Sequence, residues 1–173
     1  RAARASGATE VIVATDSDAV AKAAQLAGAS VAMTRADHSC GTDRIAEVVA
    51  QRGWPDEAIV VNVQADEPLM PPQLIDQVAK ALENDTGAAI ATACTPLSDR
   101  EAFNNPNIVK VVSTANGRAV YFSRAPIPFH RDSANADFEG RAFRHLGIYA
   151  YRAAALKQFS AAPPGALERI ESL

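Results

Sequence analysis

Four stretches of this 173-residue chain hold residue types that could do chemistry together. The first is Asn62-Val63-Gln64-Ala65-Asp66-Glu67-Pro68. It follows a strongly apolar strand pattern, and open α/β sheets place their ligands at the carboxyl ends of such strands. A carboxylate there can hold Mg²⁺, which favours one or two carboxylates completed by waters and substrate phosphates; Asp66 could equally cap the turn into the next helix, and Glu67 is ambiguous between the same two roles. The second is Arg35-Ala36-Asp37-His38-Ser39-Cys40-Gly41-Thr42-Asp43-Arg44. A small, hydroxyl-bearing turn before a helix presents backbone N–H groups and a positive dipole end to phosphate or ribose oxygens, with Arg35 and Arg44 as planar donors. Thr42, Asp43 and Glu47 also suit an ordinary helix start. His38 lacks a second ligand at metal-binding spacing. The third stretch is Tyr121-Phe-Ser-Arg-Ala-Pro-Ile-Pro128, where Arg124 ends an apolar strand ahead of prolines that fix the chain direction. It is either a bidentate carboxylate partner or a surface arginine. The fourth is Phe143 to Arg152, FRHLGIYAYR, whose alternation puts His145, Gly147, Tyr149 and Tyr151 on one face of a strand. Such a face could line a polyhydroxylated ligand or form the edge of the core.

The elements that must carry these stretches alternate. Arg1–Ser6 reads as the end of a helix, and Thr9–Thr15 as a strand. A helix capped by Asp16 or Ser17 runs to Leu26, followed by a strand at Ser30–Thr34 and a helix at Thr42–Arg52. Ala58–Val63 is apolar almost throughout, which predicts a parallel strand buried on both faces. Pro71 and Pro72 open a helix over Gln73–Glu83, and Ala88–Ala93 reads as a further buried strand. Asn116-Gly117 between Ile108–Ser113 and Ala119–Ser123 marks a hairpin. Ala125–Gly140 reads as a long loop, His145–Tyr151 as a strand, Ala153–Phe159 as a short helix and Leu167–Leu173 as a last segment. The expected fold is α/β: a three-layer Rossmann-like arrangement with a mixed, mostly parallel sheet and antiparallel additions, forming one domain over residues 1–173.

Composition narrows the function classes. With 48% hydrophobic and 21% charged residues the chain can fill a core. A net charge of -3 with scattered Lys and Arg argues against a duplex-binding surface, though not against a single-nucleotide pocket. Two cysteines, Cys40 and Cys94, make no disulfide framework and suggest a reducing, cytoplasmic setting. The apolar runs are strand-length, so no membrane span is expected. P-loop, GxGxxG, HExxH and GxSxG motifs are absent from the sequence.

Taken in order, RADHSCGTDR, NVQADEP, VYFSRAPIP and FRHLGIYAYR resemble the 3-deoxy-manno-octulosonate cytidylyltransferases, or CMP-Kdo synthetases, along essentially the whole chain. The resemblance implies an enzyme that couples CTP and Kdo, with Mg²⁺, into CMP-Kdo and pyrophosphate for lipopolysaccharide synthesis, acting as a cytoplasmic homodimer. It implies that Asp66 binds the metal, that Gln64 lies beside sugar and nucleotide, and that Asp66, Gln64 and Arg124 form the catalytic set. Arg124, His145 and Tyr149 then fall on the sugar side, and Arg35, Gly41, Thr42 and Arg44 on the nucleotide side. Ala65 replaces a glycine of the family pattern and Cys40 a serine. The family pattern also begins with an IPAR-type loop and ends with a VDTPEDL-like stretch, neither present in this sequence. A central fragment with little turnover by itself is therefore expected. A cytidylyltransferase for another acidic sugar, such as a sialic acid, and a non-catalytic ligand-binding or assembly fragment are the competing readings.

Overall fold

The computed structural model describes residues 2–38, 40–64, 69–131, 142–163 and 165–173. The chain divides into two compact units: Arg1–Ala91 with Gly147–Pro163, and Thr92–Leu146 with Pro164–Leu173.

The first unit opens with a 3-10 turn at Ala3–Ala5 and then strand β1 (Ile12–Thr15). The Ser17 side chain accepts from the Val20 N–H and starts helix α1 (Asp18–Leu26), as expected of a serine at an N-cap. Gly28, at φ 72°, lets the chain turn into β2 (Ser30–Met33), which pairs parallel with β1. Helix α2 (Gly41–Arg52) ends at Gly53 in the left-handed conformation. Strand β3 (Ile59–Val63) precedes α3 (Pro72–Asn84), whose Pro72 stands in the first turn, where no intrahelical N–H is needed. At the other end of α3, the Arg152 guanidinium donates to the carbonyls of Leu82 (2.8 Å), Asp85 (3.3 Å) and Ala88 (3.1 Å). The latter part of a long strand (Phe143–Arg152, β7 in chain order) and helix α5 (Ala153–Ala161) complete this unit. Val49, Ala153 and Leu156, all wholly buried, pack with Ala46 and Tyr151 into a core cluster of this unit.

The parallel partner expected for Ala58–Val63 is not what the described residues show. β3 pairs antiparallel with β7, from Ile59↔Arg152 to Val63↔Ile148. An apolar run encodes burial, not direction; the direction comes from a partner almost ninety residues away, which local pattern cannot specify. Four of the five β3 residues are only half-buried. The buried strand expected at Ala88–Ala93 is shifted to β4 (Ile90–Pro96), and within the expected range Ala89 and Ile90 are exposed.

In the second unit, Asp99 caps the short helix α4 (Arg100–Asn104) by accepting from Glu101 and Ala102 N–H groups. The sequence reading has no helix here, although an Asp followed by Arg-Glu-Ala is a sufficient start signal. Strands β5 (Lys110–Ser113) and β6 (Ala119–Ser123) form the expected antiparallel hairpin, with Gly117 at φ 81° in its turn. β5 also pairs with the start of β7, Lys110 opposite Arg144 and Val111 opposite Phe143. Leu97, Phe103 and Ala142 form an apolar cluster in this unit, and α6 (Ala166–Glu171) ends it. The α/β class with mixed pairing is therefore as expected, but the expectation of a mostly parallel sheet is not met among the described residues: β1–β2 is parallel, whereas β3–β7, β5–β6 and β5–β7 are antiparallel.

Candidate active site

In the first unit, register gathers two of the sequence motifs on one sheet face. Cross-strand pairing sets Val60 opposite Tyr151 and Asn62 opposite Tyr149. Two residues further, Gln64 lies over Gly147: a Cβ built on Gly147 would stand 3.2 Å from Gln64 Oε1 and 3.5 Å from its carboxamide carbon. The missing side chain at 147 is what lets the carboxamide lie against the strand. Tyr149 and Tyr151 stack with ring centroids 5.8 Å apart. Burial pushes the Tyr149 phenol up to about 12, with the neighbouring Tyr151 adding to the effect, so at neutral pH it keeps its proton and can donate.

The start of α2 joins this face. Thr42 Oγ1 lies 3.3 Å from the Tyr151 hydroxyl. Cys40 occupies the N-cap position without a side-chain cap bond, so its side chain does not take up the first-turn N–H groups of α2. Gly41 is exposed, and a Cβ there would only reach ordinary contact with Asn62 Nδ2 at 3.9 Å. Arg44 is half-buried and committed to protein partners: Nη1 donates to Thr34 Oγ1 (2.6 Å) and to the Arg35 carbonyl (3.3 Å), and Nη2 sits 3.4 Å from Asp16. Arg35 is exposed and pairs with Asp37 at 3.3 Å, while its N–H donates to Glu47 Oε2 at 3.0 Å. Glu47 also takes the His38 ring, and these hydrogen bonds hold its carboxyl below the usual range. Glu47 thereby ties the loop that precedes α2 to that helix, a role its helical position did not reveal.

Asp66, with Ala65, Glu67 and Pro68, lies outside the described residues, as do Ser39 and residues 132–141. Among the described residues no group of three or more His, Cys, Asp or Glu side chains is placed to hold a metal ion.

Arg124 and His145 belong to the second unit. The Arg124 guanidinium donates to the carbonyls of Pro106 (2.9 Å), Glu171 (2.5 Å) and Ser172 (2.9 Å), and its amide donates to Glu171 Oε2 (2.6 Å). The Glu171 carboxylate also accepts from the Tyr121 hydroxyl (2.7 Å) and the Ser123 hydroxyl (2.8 Å). These bonds hold its pKa down. His145 meets Phe122 edge-on at 4.9 Å, and its Nε2 lies 2.8 Å from Thr92 Oγ1. Burial lowers its pKa to about 4, so the ring is neutral at physiological pH. Glu171 and Lys110, which anchor Arg124, carried no signal as site residues in the sequence.

Comparison with known proteins matches the same span. The model of the cytidylyltransferase family covers residues 1–173. The chain is 51% identical to a 3-deoxy-manno-octulosonate cytidylyltransferase of Thioalkalivibrio sulfidiphilus over 99% of its own length and 70% of the relative's. It is 52% identical to the enzyme of that name from Legionella pneumophila strain Lens, over 94% of the chain and 64% of the relative. Against a solved structure of CMP:2-keto-3-deoxy-manno-octonic acid synthetase complexed with CTP, it superposes with a TM-score of 0.89 at 38% identity, covering 99% of this chain and 68% of that one. The chain thus spans about two thirds of the length of the relatives it matches. No helix among the described residues is long and apolar enough to cross a membrane. With both the sequence and the backbone matched from end to end, the chain belongs to the cytidylyltransferase family.

Proposed function

We propose that this chain carries the transfer of CMP from CTP to Kdo. The anomeric hydroxyl oxygen of Kdo attacks the α-phosphorus in line, the bond to the β-phosphate oxygen breaks, pyrophosphate leaves, and the hydroxyl proton passes to solvent. The observation that carries this reading is the superposition, at 38% identity over 99% of the chain, on a synthetase complexed with CTP. The local geometry supports it. The start of α2 offers backbone N–H groups beside Thr42, suited to phosphate or ribose oxygens. Arg35, Gly41, Thr42 and Arg44 form the nucleotide-side group in this reading, Arg44 by holding the loop through Thr34 and the Arg35 carbonyl rather than by direct donation. Gln64 and the proton-bearing Tyr149 phenol supply neutral donors on the β3–β7 face, which suit a polyhydroxylated sugar better than a phosphate. Arg124 supplies the cation for the sugar carboxylate, and His145 a neutral ring.

The donor set at the end of β3 fits Mg²⁺: the motif offers Gln64 and Asp66, hard oxygen donors, and no soft ligand. Asp66 would hold the ion, whose contribution when bound is to neutralise phosphate charge. Catalysis of such a transfer is mostly positioning, which falls to the protein's own groups. The same reading makes the protein a cytoplasmic homodimer supplying lipopolysaccharide synthesis.

The test is a chimera in which residues 1–173 replace the matching segment of the Thioalkalivibrio relative. CMP-Kdo and pyrophosphate should form in equal amounts from CTP and Kdo. Product with a sialic acid instead would identify the other acidic-sugar enzyme, and a folded chimera that binds CTP without turnover would identify a binding domain; either result refutes the proposal.

A further inference from the structure

Lys110 is wholly buried at the start of β5, where the hairpin pattern calls for an apolar residue. A buried ammonium is costly unless its donors are matched. Here each of the three is: Nζ donates to the carbonyls of Asn105 (2.9 Å), Ile108 (2.6 Å) and Arg124 (2.5 Å). The last contact matters for function. The backbone on both sides of the Arg124 Cα is held by side chains of opposite charge, its N–H by Glu171 Oε2 and its C=O by Lys110 Nζ. The neighbours are fixed as well, since Ser123 Oγ donates to Glu171 and accepts the Ala125 N–H at 3.0 Å.

The side chain of Arg124 is held in turn. Nε, Nη1 and Nη2 each spend one hydrogen on a backbone carbonyl. A guanidinium has five, so one remains on each Nη, in a plane the rest of the network has already fixed. The cluster's charges are two cations, Lys110 and Arg124, against one carboxylate, Glu171. An arrangement of this kind is preorganised for one more anion.

We propose that Lys110 is a positioning residue for the acidic-sugar end of the site: by fixing the Arg124 carbonyl, it holds the free edge of the guanidinium where a sugar carboxylate meets it. This rests on the assignment of Arg124 to the sugar side. Lys110 touches no substrate and acts only through Arg124.

Calorimetric binding of Kdo and of CTP by the protein is compared for wild type, Lys110→Met, Lys110→Gln and Arg124→Ala, with urea unfolding of each. Lys110→Met, which removes all three donors, should weaken Kdo binding by about tenfold, in the range expected for a disturbed charge-assisted contact, and leave CTP binding within about twofold. Lys110→Gln, which keeps two N–H donors, should recover part of the loss. Equal losses for both ligands would reduce Lys110 to a structural role and overturn the proposal. If Kdo binding survives Arg124→Ala, or is absent in wild type, the sugar-side assignment itself is wrong. If Arg124→Ala abolishes Kdo binding while Lys110→Met does not, the positioning role alone fails. Hydrogen exchange at the Arg124 Nε–H needs no ligand and decides the matter even if Lys110→Met does not fold: it should quicken in Lys110→Gln, and an unchanged rate would refute the role.

Discussion

Lowering the pH should destabilise the protein through His145 in a window the structure defines. Its ring is held neutral by burial, with the folded-state pKa near 4 against an ordinary 6.5. Above pH 6.5 the ring is neutral folded and unfolded, and the stability is unaffected. Between 6.5 and 4 the unfolded chain binds a proton that the folded chain refuses, so stability falls as the pH falls. The difference of 6.5 − 4 = 2.5 corresponds to at most about 3.4 kcal/mol. The ring is half-buried rather than enclosed, and solvent screening reduces this to about 2 kcal/mol. Urea unfolding of wild type and His145→Gln at about pH 7.5 and about pH 4.5 isolates the effect, because the carboxylates titrate alike in both. Wild type should lose about 2 kcal/mol more than the variant on acidification. Equal losses, or an imidazole proton resonance titrating near 6.5, would refute the account of a desolvated ring on Thr92 and Phe122.

Gly147→Ala should leave stability within about 0.5 kcal/mol, because the atom its Cβ meets at 3.2 Å is the end of the flexible Gln64 side chain; ligand affinity measured by calorimetry should fall as the carboxamide is displaced. Leu82 is wholly buried on α3, so Leu82→Ala should cost about 2–4 kcal/mol in urea unfolding with ligand binding retained. Asp66→Asn in the chimera keeps the shape and removes the charge that Mg²⁺ needs, so turnover at limiting Mg²⁺ should drop steeply while the far-ultraviolet circular dichroism stays unchanged.

Much of the fold was legible because its signals are local. Ser17 at an N-cap, Pro72 in a first turn and Asn116-Gly117 in a hairpin each encode their geometry within a few residues. What local pattern could not carry was the partner of β3, since an apolar run is equally good in either ladder direction. The site divides along the same line. Gln64, Thr42 and Tyr149 stood out by motif; the register of β3 on β7 brings Gln64 and Tyr149 to one face with Gly147 as the permissive position, and the start of α2 brings Thr42 to Tyr151 beside it. Lys110 and Glu171 were invisible: a lysine beside two valines in a hairpin and a glutamate in a terminal helix acquire meaning only through bonds to Arg124 from 14 and 47 residues away. Arg44 carries a different lesson, for the cation read as a nucleotide donor already holds Thr34, Arg35 and Asp16.

Calorimetric titration of the protein with each of the four common nucleoside triphosphates in Mg²⁺, followed by Kdo, tests the central claim most directly. The account predicts that CTP binds at least about tenfold more tightly than UTP, GTP or ATP, a difference of about 1.4 kcal/mol, and that Kdo binds to the CTP-loaded protein. Equal affinity for the four nucleotides, or a CTP-loaded protein indifferent to Kdo, would contradict it.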